Sequence, residues 1–396
     1  MNSPNAPRAQ PRIYLDHAAT SFPKPPGVIE AMVRYQNEIG ANAGRGSYLE
    51  SAEATDLVAN CRRKIARLFN APSSDCIAFT QNCTDALNIA IHGAVQPGQP
   101  SHFVCTSMDH NSVVRPINDC VARGAATVTM VRADAQTGRV HADAIRDAIR
   151  PETRLVAVPH ASNVTGTIQP IESISRVTQS AGVLLLVDAA QTAGHLPIDV
   201  QAMGIDLLAA PGHKGLLGPL GTGVLYVCPG VESQIRAFRT GGTGSESESL
   251  HHPRVMPHQF EAGSLNLPGI AGLAAAAEWL LSRGVESVRA HEAELVELFE
   301  RTMPRDRRFH HYGSRELAQR TAVVSFNIEG LAPAEVAMAL ETHFGILVRS
   351  GLHCAAVAHE TLNTLSLGGT VRASFGSSTR SDEVGKLIRA LGALLG

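Results

Sequence analysis

Short apolar runs recur along the first 230 positions, and most are separated by helix-length stretches with Gly or Pro punctuation. Residues 77–80, 102–106, 126–131, 155–158, 184–187, 207–209 and 223–227 read as strands, continuous in their apolar character rather than alternating. Residues 52–69, ahead of the first of these, and 84–92, between the first two, carry helical spacing. Strands without a polar face are those buried on both sides. The rhythm therefore predicts an α/β fold, a largely parallel sheet with helices on each face. In such sheets, functional residues gather where strands end at their carboxyl side.

The pattern changes after residue 239. Residues 240–258 are polar and rich in Gly, Ser and His, as a long loop or connector would be. A helical stretch over 269–303 follows, then a strand-like 322–328, a helix over 333–344, a strand over 345–350 and a last helix over 381–395. This predicts a smaller α+β unit. The expected division is an arm over residues 1–13, a large domain over 14–255 and a small domain over 256–396.

Composition narrows the function classes. The chain has 396 residues, too many for one typical domain, and 44% hydrophobic against 18% charged residues is ordinary for a globular protein. A net charge of −2 gives no electrostatic case for nucleic acid or an anionic membrane as partner. The opening residues lack the apolar core of a signal peptide, and no run approaches the ~18 residues of a membrane span, so a soluble, cytoplasmic protein is expected. Seven cysteines, an odd number without a C-x-x-C pair, speak against a disulfide framework and against zinc, and no metal is expected.

The chemistry-bearing residues fall at the strand ends. Asp188 closes the run 183–187, and Lys214 lies between His213 and Gly215 just beyond 207–209. An acid at one strand end and a lysine beyond another suit a pyridoxal phosphate site. There the lysine binds the cofactor aldehyde and the acid keeps the pyridine nitrogen protonated; a plain buried Asp–Lys pair is the structural alternative. Residues 80–88 pass from strand to helix through small polar residues, where Cys83 and Thr84 at a helix N-terminus favour a phosphate, or simply a helix cap. His110 follows a strand and is placed to stack on a ring or carry protons. Asn163 and Gln191 are amide donors after two further strands. Near the C-terminus, Cys354 is flanked by His353 with Arg349 nearby, a setting that exposes and stabilises a thiolate. Arg372 lies on a strand-like segment and suits bidentate capture of a carboxylate. Their structural alternatives are a buried small hydrophobe and a surface ion pair.

Taken in order, Tyr14-Leu-Asp-His-Ala-Ala-Thr20, His160-Ala-Ser-Asn-Val-Thr-Gly166, Val187-Asp-Ala-Ala-Gln191, Gly212-His-Lys214, Arg349-Ser-Gly-Leu-His-Cys-Ala355 and Arg372-Ala-Ser-Phe-Gly376 resemble the class V aminotransferase family. These are pyridoxal phosphate enzymes of fold type I, and the match is to the cysteine desulfurase and selenocysteine lyase branch. The resemblance implies Lys214 as Schiff-base lysine, Asp188 as pyridinium partner and His110 as stacking histidine. It likewise implies Asn163 and Gln191 at the phenol oxygen, and Thr84 and His213 at the phosphate. Arg372 would hold the substrate carboxylate, with Arg349 and Asn163 beside it, and Cys354 would form a persulfide. Family members are homodimers, and Ser264, in Phe260-Glu-Ala-Gly-Ser264, stands where a Thr reaches the partner's phosphate. Pro211 replaces a Ser or Thr before Gly-His-Lys, removing one hydroxyl and one N–H. Leu265, Leu267 and Asn363 also depart from the family pattern. The implied reaction converts L-cysteine to L-alanine with a persulfide on Cys354, passed to a sulfur-acceptor protein. Selenocysteine lyase, C–S lyase and a non-catalytic cofactor-binding scaffold are the alternatives.

Overall fold

The computed structural model of the protein describes residues 12–44, 46–246 and 248–396; all but the last two residues of the expected arm lie outside them. Thirteen strands form three sheets among the described residues. The strands of the largest are β2 (Ile77–Thr80), β3 (His102–Thr106), β4 (Thr127–Val131), β5 (Thr153–Pro159), β6 (Leu184–Asp188), β7 (Leu207–Pro211) and β8 (Gly223–Val227), and β1 (Ile13–Tyr14) precedes them. Their order is β2-β8-β7-β6-β5-β3-β4, and only β8 runs against the others. The expected parallel sheet is thus present, with one antiparallel member near its edge.

Both faces are covered, which explains the unbroken apolar strands. Along β5, Val156 and Val158 point into a core with the helices Leu49–Leu68, Ile171–Ala181 and Leu267–Arg283. The alternate residues Leu155 and Ala157 enter a second core with the helices Cys83–Ala94 and Asn111–Ala122. The period-two alternation of a strand sorts neighbours to opposite faces, so every position must be apolar.

The second sheet is antiparallel, built from β9 (Phe309–Tyr312), β10 (Val323–Ile328), β12 (Arg349–Gly351) and β13 (Thr370–Ser374) in the order β12-β13-β10-β9. Helices Val285–Thr302, Pro333–Phe344 and Ser381–Leu395 pack with it around Phe299, Phe326 and Phe375. β11 (Ile346–Leu347) pairs in parallel with β1, and Asp16 bridges to Ser374, so the N-terminal segment is bound to this C-terminal sheet.

Three readings of the pattern change in detail. The helical stretch over 269–303 is two helices, Leu267–Arg283 and Val285–Thr302, because Gly284 takes φ 80° and ψ 128°. The strand over 345–350 splits into β11 and β12, which belong to different sheets. Strand β9, Phe-His-His-Tyr, lacks an apolar run and was not foreseen; it is an edge strand, where one flank is unpaired. No described helix is long and apolar enough to cross a membrane.

Candidate active site

Lys214, Asp188, Gln191, Asn163, His110, Cys83, Thr84 and His213 line one cavity of about 710 Å³ above the carboxyl ends of β2, β3, β5, β6 and β7. Met108, Ser112 and Pro211 complete much of its wall. The topology brings these strands together, so five separate loops deliver their side chains to one place.

At its floor, Asp188 is buried, and Oδ1 accepts from the Ala190 amide at 2.9 Å and the Cys83 thiol at 3.5 Å. Its other oxygen has no partner among the described residues. Burial raises the Cys83 thiol well above its ordinary range, and the Asp188 charge adds to this, so Cys83 stays protonated. Cys83 thereby touches the carboxylate rather than a phosphate with its side chain. Lys214 is pulled below its ordinary value by burial; Asp188 opposes this, while the Arg372 and Arg349 charges reinforce it. A lysine so placed gives up its proton readily, which nucleophilic and base chemistry requires.

On the cavity's flank, Asn82 caps the helix Cys83–Ala94 by accepting from Asp85 N. The first-turn amides of Cys83 and Thr84 are left open to an anion. Thr84 Oγ1 lies 2.8 Å from Ser112 Oγ. His110 caps the helix Asn111–Ala122, its Nδ1 accepting from Ser112 N at 3.0 Å. That bond fixes the neutral tautomer with hydrogen on Nε2, and burial, the main cause, lowers the imidazole's proton affinity. His213 is pushed down to about 4, by burial first and then by Lys214 and Lys24. Gln191 Nε2 donates to Ala18 O at 3.2 Å, leaving its second N–H free.

Above the cavity stand the residues of the C-terminal sheet. Arg349 and Arg372 are directly opposite each other on β12 and β13. Arg372 is 2% exposed, donates from Nη2 to Asp16 Oδ1 and from Nη1 to Asn163 O, each at 3.0 Å, and keeps a buried Nε with no partner among the described residues. Two facing guanidiniums with spare donors call for an anion. Cys354 is exposed and lines a second cavity with Thr84, His110, Asn111, Ser112 and Arg115. His110, Thr84 and Ser112 belong to both cavities. Ser264 is elsewhere, in hollows lined by Arg62, Gly242, Thr243 and Glu261.

Several contributors carry no role in the sequence analysis. Asp16 lies inside the quoted motif Tyr14–Thr20, whose order was a signal without a role attached. Thr20, Ser21 and Lys24 all donate to the His213 carbonyl, clamping the residue before Lys214 to the N-terminal segment. Gly215 is required there because an added Cβ would sit 2.3 Å from the His195 ring and from Ala193 O. His195 Nδ1 is in turn 2.8 Å from the buried Glu292.

A pyridine ring bearing a phosphate fits this donor set. Asp188 offers a carboxylate oxygen with no partner among the described residues, the helix N-terminus offers open amides, and Lys214, of lowered proton affinity, lines the same cavity. Fold and site define a member of an established enzyme family. The profile described as Aminotransferase class-V matches residues 13–387, and the chain belongs to that family. Among its relatives, a probable cysteine desulfurase of Methanothermobacter thermautotrophicus is 38% identical over 98% of this chain and 96% of its own length. One from Streptomyces coelicolor is 34% identical over 96% of this chain and 91% of its own. The apo structure of a cysteine desulfurase from Thermococcus onnurineus superposes with a TM-score of 0.89 at 32% identity, covering 97% of this chain and 94% of that one. The Escherichia coli cysteine desulfurase CsdA, in its S-sulfonic acid form, gives 0.87 at 29% identity with the same coverage.

Proposed function

We propose that the protein is a pyridoxal phosphate-dependent cysteine desulfurase, which moves the sulfur of L-cysteine onto Cys354 and releases L-alanine. The observation that carries this is the shared wall: His110, Thr84 and Ser112 line both the cavity of Lys214 and that of Cys354. A simple elimination lyase needs no thiol there.

In this reading Thr84, His213 and the open amides of Cys83 and Thr84 hold the phosphate. Asp188 would pair with the pyridine nitrogen, Asn163 and Gln191 would donate to the phenol oxygen, and His110 would pack on the ring. When bound, the cofactor supplies an electron sink for the carbanion at the substrate's α-carbon. Lys214, its proton affinity lowered by burial, takes the α-proton and returns a proton to carbon. Arg372, with Arg349 opposite, holds the substrate carboxylate. The Cys354 thiolate attacks the substrate sulfur, the carbon–sulfur bond breaks, and its electron pair stays on the carbon that is then protonated. The balance is L-cysteine plus Cys354 thiol giving L-alanine plus Cys354 persulfide. No external oxidant or reductant enters until the persulfide is discharged.

We place Ser264 at the partner's phosphate in a homodimer, a state that light scattering at twice the chain mass would support. The exposure of Cys354 suits delivery of sulfur to an acceptor protein.

Product analysis tests the reaction. With L-cysteine, pyridoxal phosphate and a reductant, the wild type should yield alanine and sulfide in equal amounts, and Cys354→Ala should lose at least about 100-fold of both. Pyruvate and ammonia from both proteins would make it an elimination lyase instead.

A further inference from the structure

The Cys354 turn is an unfavourable piece of backbone. After Gly351, two consecutive residues with side chains take left-handed conformations, His353 at φ 47° and Cys354 at φ 58°. Each costs on the order of 1 kcal/mol or more, so the turn persists only where other contacts hold it. Several do. Asn163 Nδ2 donates to the His353 carbonyl at 2.6 Å, the Asn111 amide donates to the Cys354 carbonyl at 2.8 Å, the Ala355 amide closes the turn onto the Leu352 carbonyl at 2.8 Å, and His353 Nε2 lies 3.1 Å from both Thr370 O and Thr370 Oγ1. The first is made by a buried side chain that also lines the Lys214 cavity. The carbonyl of the same Asn163 accepts from Arg372 Nη1 at 3.0 Å.

We infer that Asn163 is a positioning residue for Cys354, in addition to its place in the cofactor cavity. A side-chain amide nitrogen carries two N–H groups. One is committed to His353 O, which braces the left-handed turn and with it the direction of the sulfur from the cavity side; the other is open to an oxygen in the cavity. Through its backbone the residue also sets one of the two bonds that orient Arg372. One planar group, rigidly placed after β5, thereby fixes the ring site, the carboxylate arginine and the sulfur acceptor relative to each other. A few tenths of an ångström matter when a thiolate must meet a substrate sulfur in line. The inference rests on the desulfurase reading for the task it gives Cys354, and on the observed hydrogen bonds for the coupling.

Hydrogen–deuterium exchange of the full chain, read on peptides spanning residues 349–358 with and without pyridoxal phosphate, tests it. Asn163→Asp keeps the size but sets a carboxylate oxygen against the His353 carbonyl. Exchange in this segment should rise by about fivefold or more in both states, as loss of one buried hydrogen bond implies. Gln191→Ala removes a different amide from the same cavity, one tied to Ala18 O, and should leave the segment unchanged. Asn163→Ser serves as the second variant if Asn163→Asp does not fold. Unchanged exchange in the folded Asn163 variant, or an equal rise in Gln191→Ala, overturns the inference. Failure of the desulfurase reading shows separately, as absent alanine release by the wild type.

Discussion

Arg372 is a charge almost wholly removed from water, tolerated because Asp16 and the Asn163 carbonyl each take one N–H. Its remaining donors form a planar fork that lysine cannot reproduce. Arg372→Lys should therefore raise KM for L-cysteine by about 10- to 100-fold with kcat changed much less, the sign of lost carboxylate binding. Steady-state kinetics checks this, and an equal fall in kcat with unchanged KM would contradict the role. At this scale the meeting of Lys214, Asp188 and His110 in one cavity was legible, because each is a chemically marked residue at or near a strand end. Asp16 and Lys24 were not, since their partners lie 356 and 189 positions away.

The turn between β3 and the helix Asn111–Ala122 carries a titratable group that the reaction does not use. Asp109 is buried, one carboxylate oxygen accepting from Thr106 N at 2.6 Å and Thr106 Oγ1 at 2.9 Å, the other without a partner. Burial raises its pKa to about 8, against the opposing hydrogen bonds from Thr106. The unfolded carboxyl ionises near pH 4. Between those values the unfolded chain has released a proton that the folded one retains, so stability falls as pH rises through this window. Asp109→Asn keeps the shape and removes the titration. Its melting temperature should gain on the wild type steadily from pH 5 to pH 8, and parallel curves would refute the assignment. Among the elements, the strands of the large sheet were legible from their unbroken apolar runs. The break at Gly284 and strand β9 were not, because a left-handed glycine fits inside helical spacing and an edge strand needs no apolar run.

Across the whole molecule, the two sheets meet through buried polar contacts as well as apolar ones. His195, which packs on Gly215 beside Lys214, pairs with Glu292 of the helix Val285–Thr302. Burial alone would lower the His195 pKa, but the Glu292 charge and hydrogen bond outweigh it and the net shift is upward. A raised pKa contributes stability that is fully present below the unfolded value and lost as pH rises through the folded one. Glu292→Gln should cost about 2–4 kcal/mol near pH 6 and less at pH 9, where the imidazole is neutral in either protein. Urea unfolding at the two pH values measures both, and an equal cost at both would show that charge plays no part. We place the joint between the two units near Gly284 rather than at residue 255, since the helix Leu267–Arg283 shares the core of the large sheet.

The pattern along the chain alone carries the class of fold and the family. Unbroken apolar strands demand two covered faces, and an acid, a lysine and a cysteine in that motif order, Asp188, Lys214 and Cys354, resemble one family. How these residues combine is a matter of the folded chain. It put Asn163 beneath the Cys354 turn, set Asp16 on Arg372, and clamped the Lys214 turn between the N-terminal segment and the His195–Glu292 pair. Those contacts join residues far apart in the chain, and no local pattern of polar and apolar positions records which distant partner satisfies a buried donor or charge.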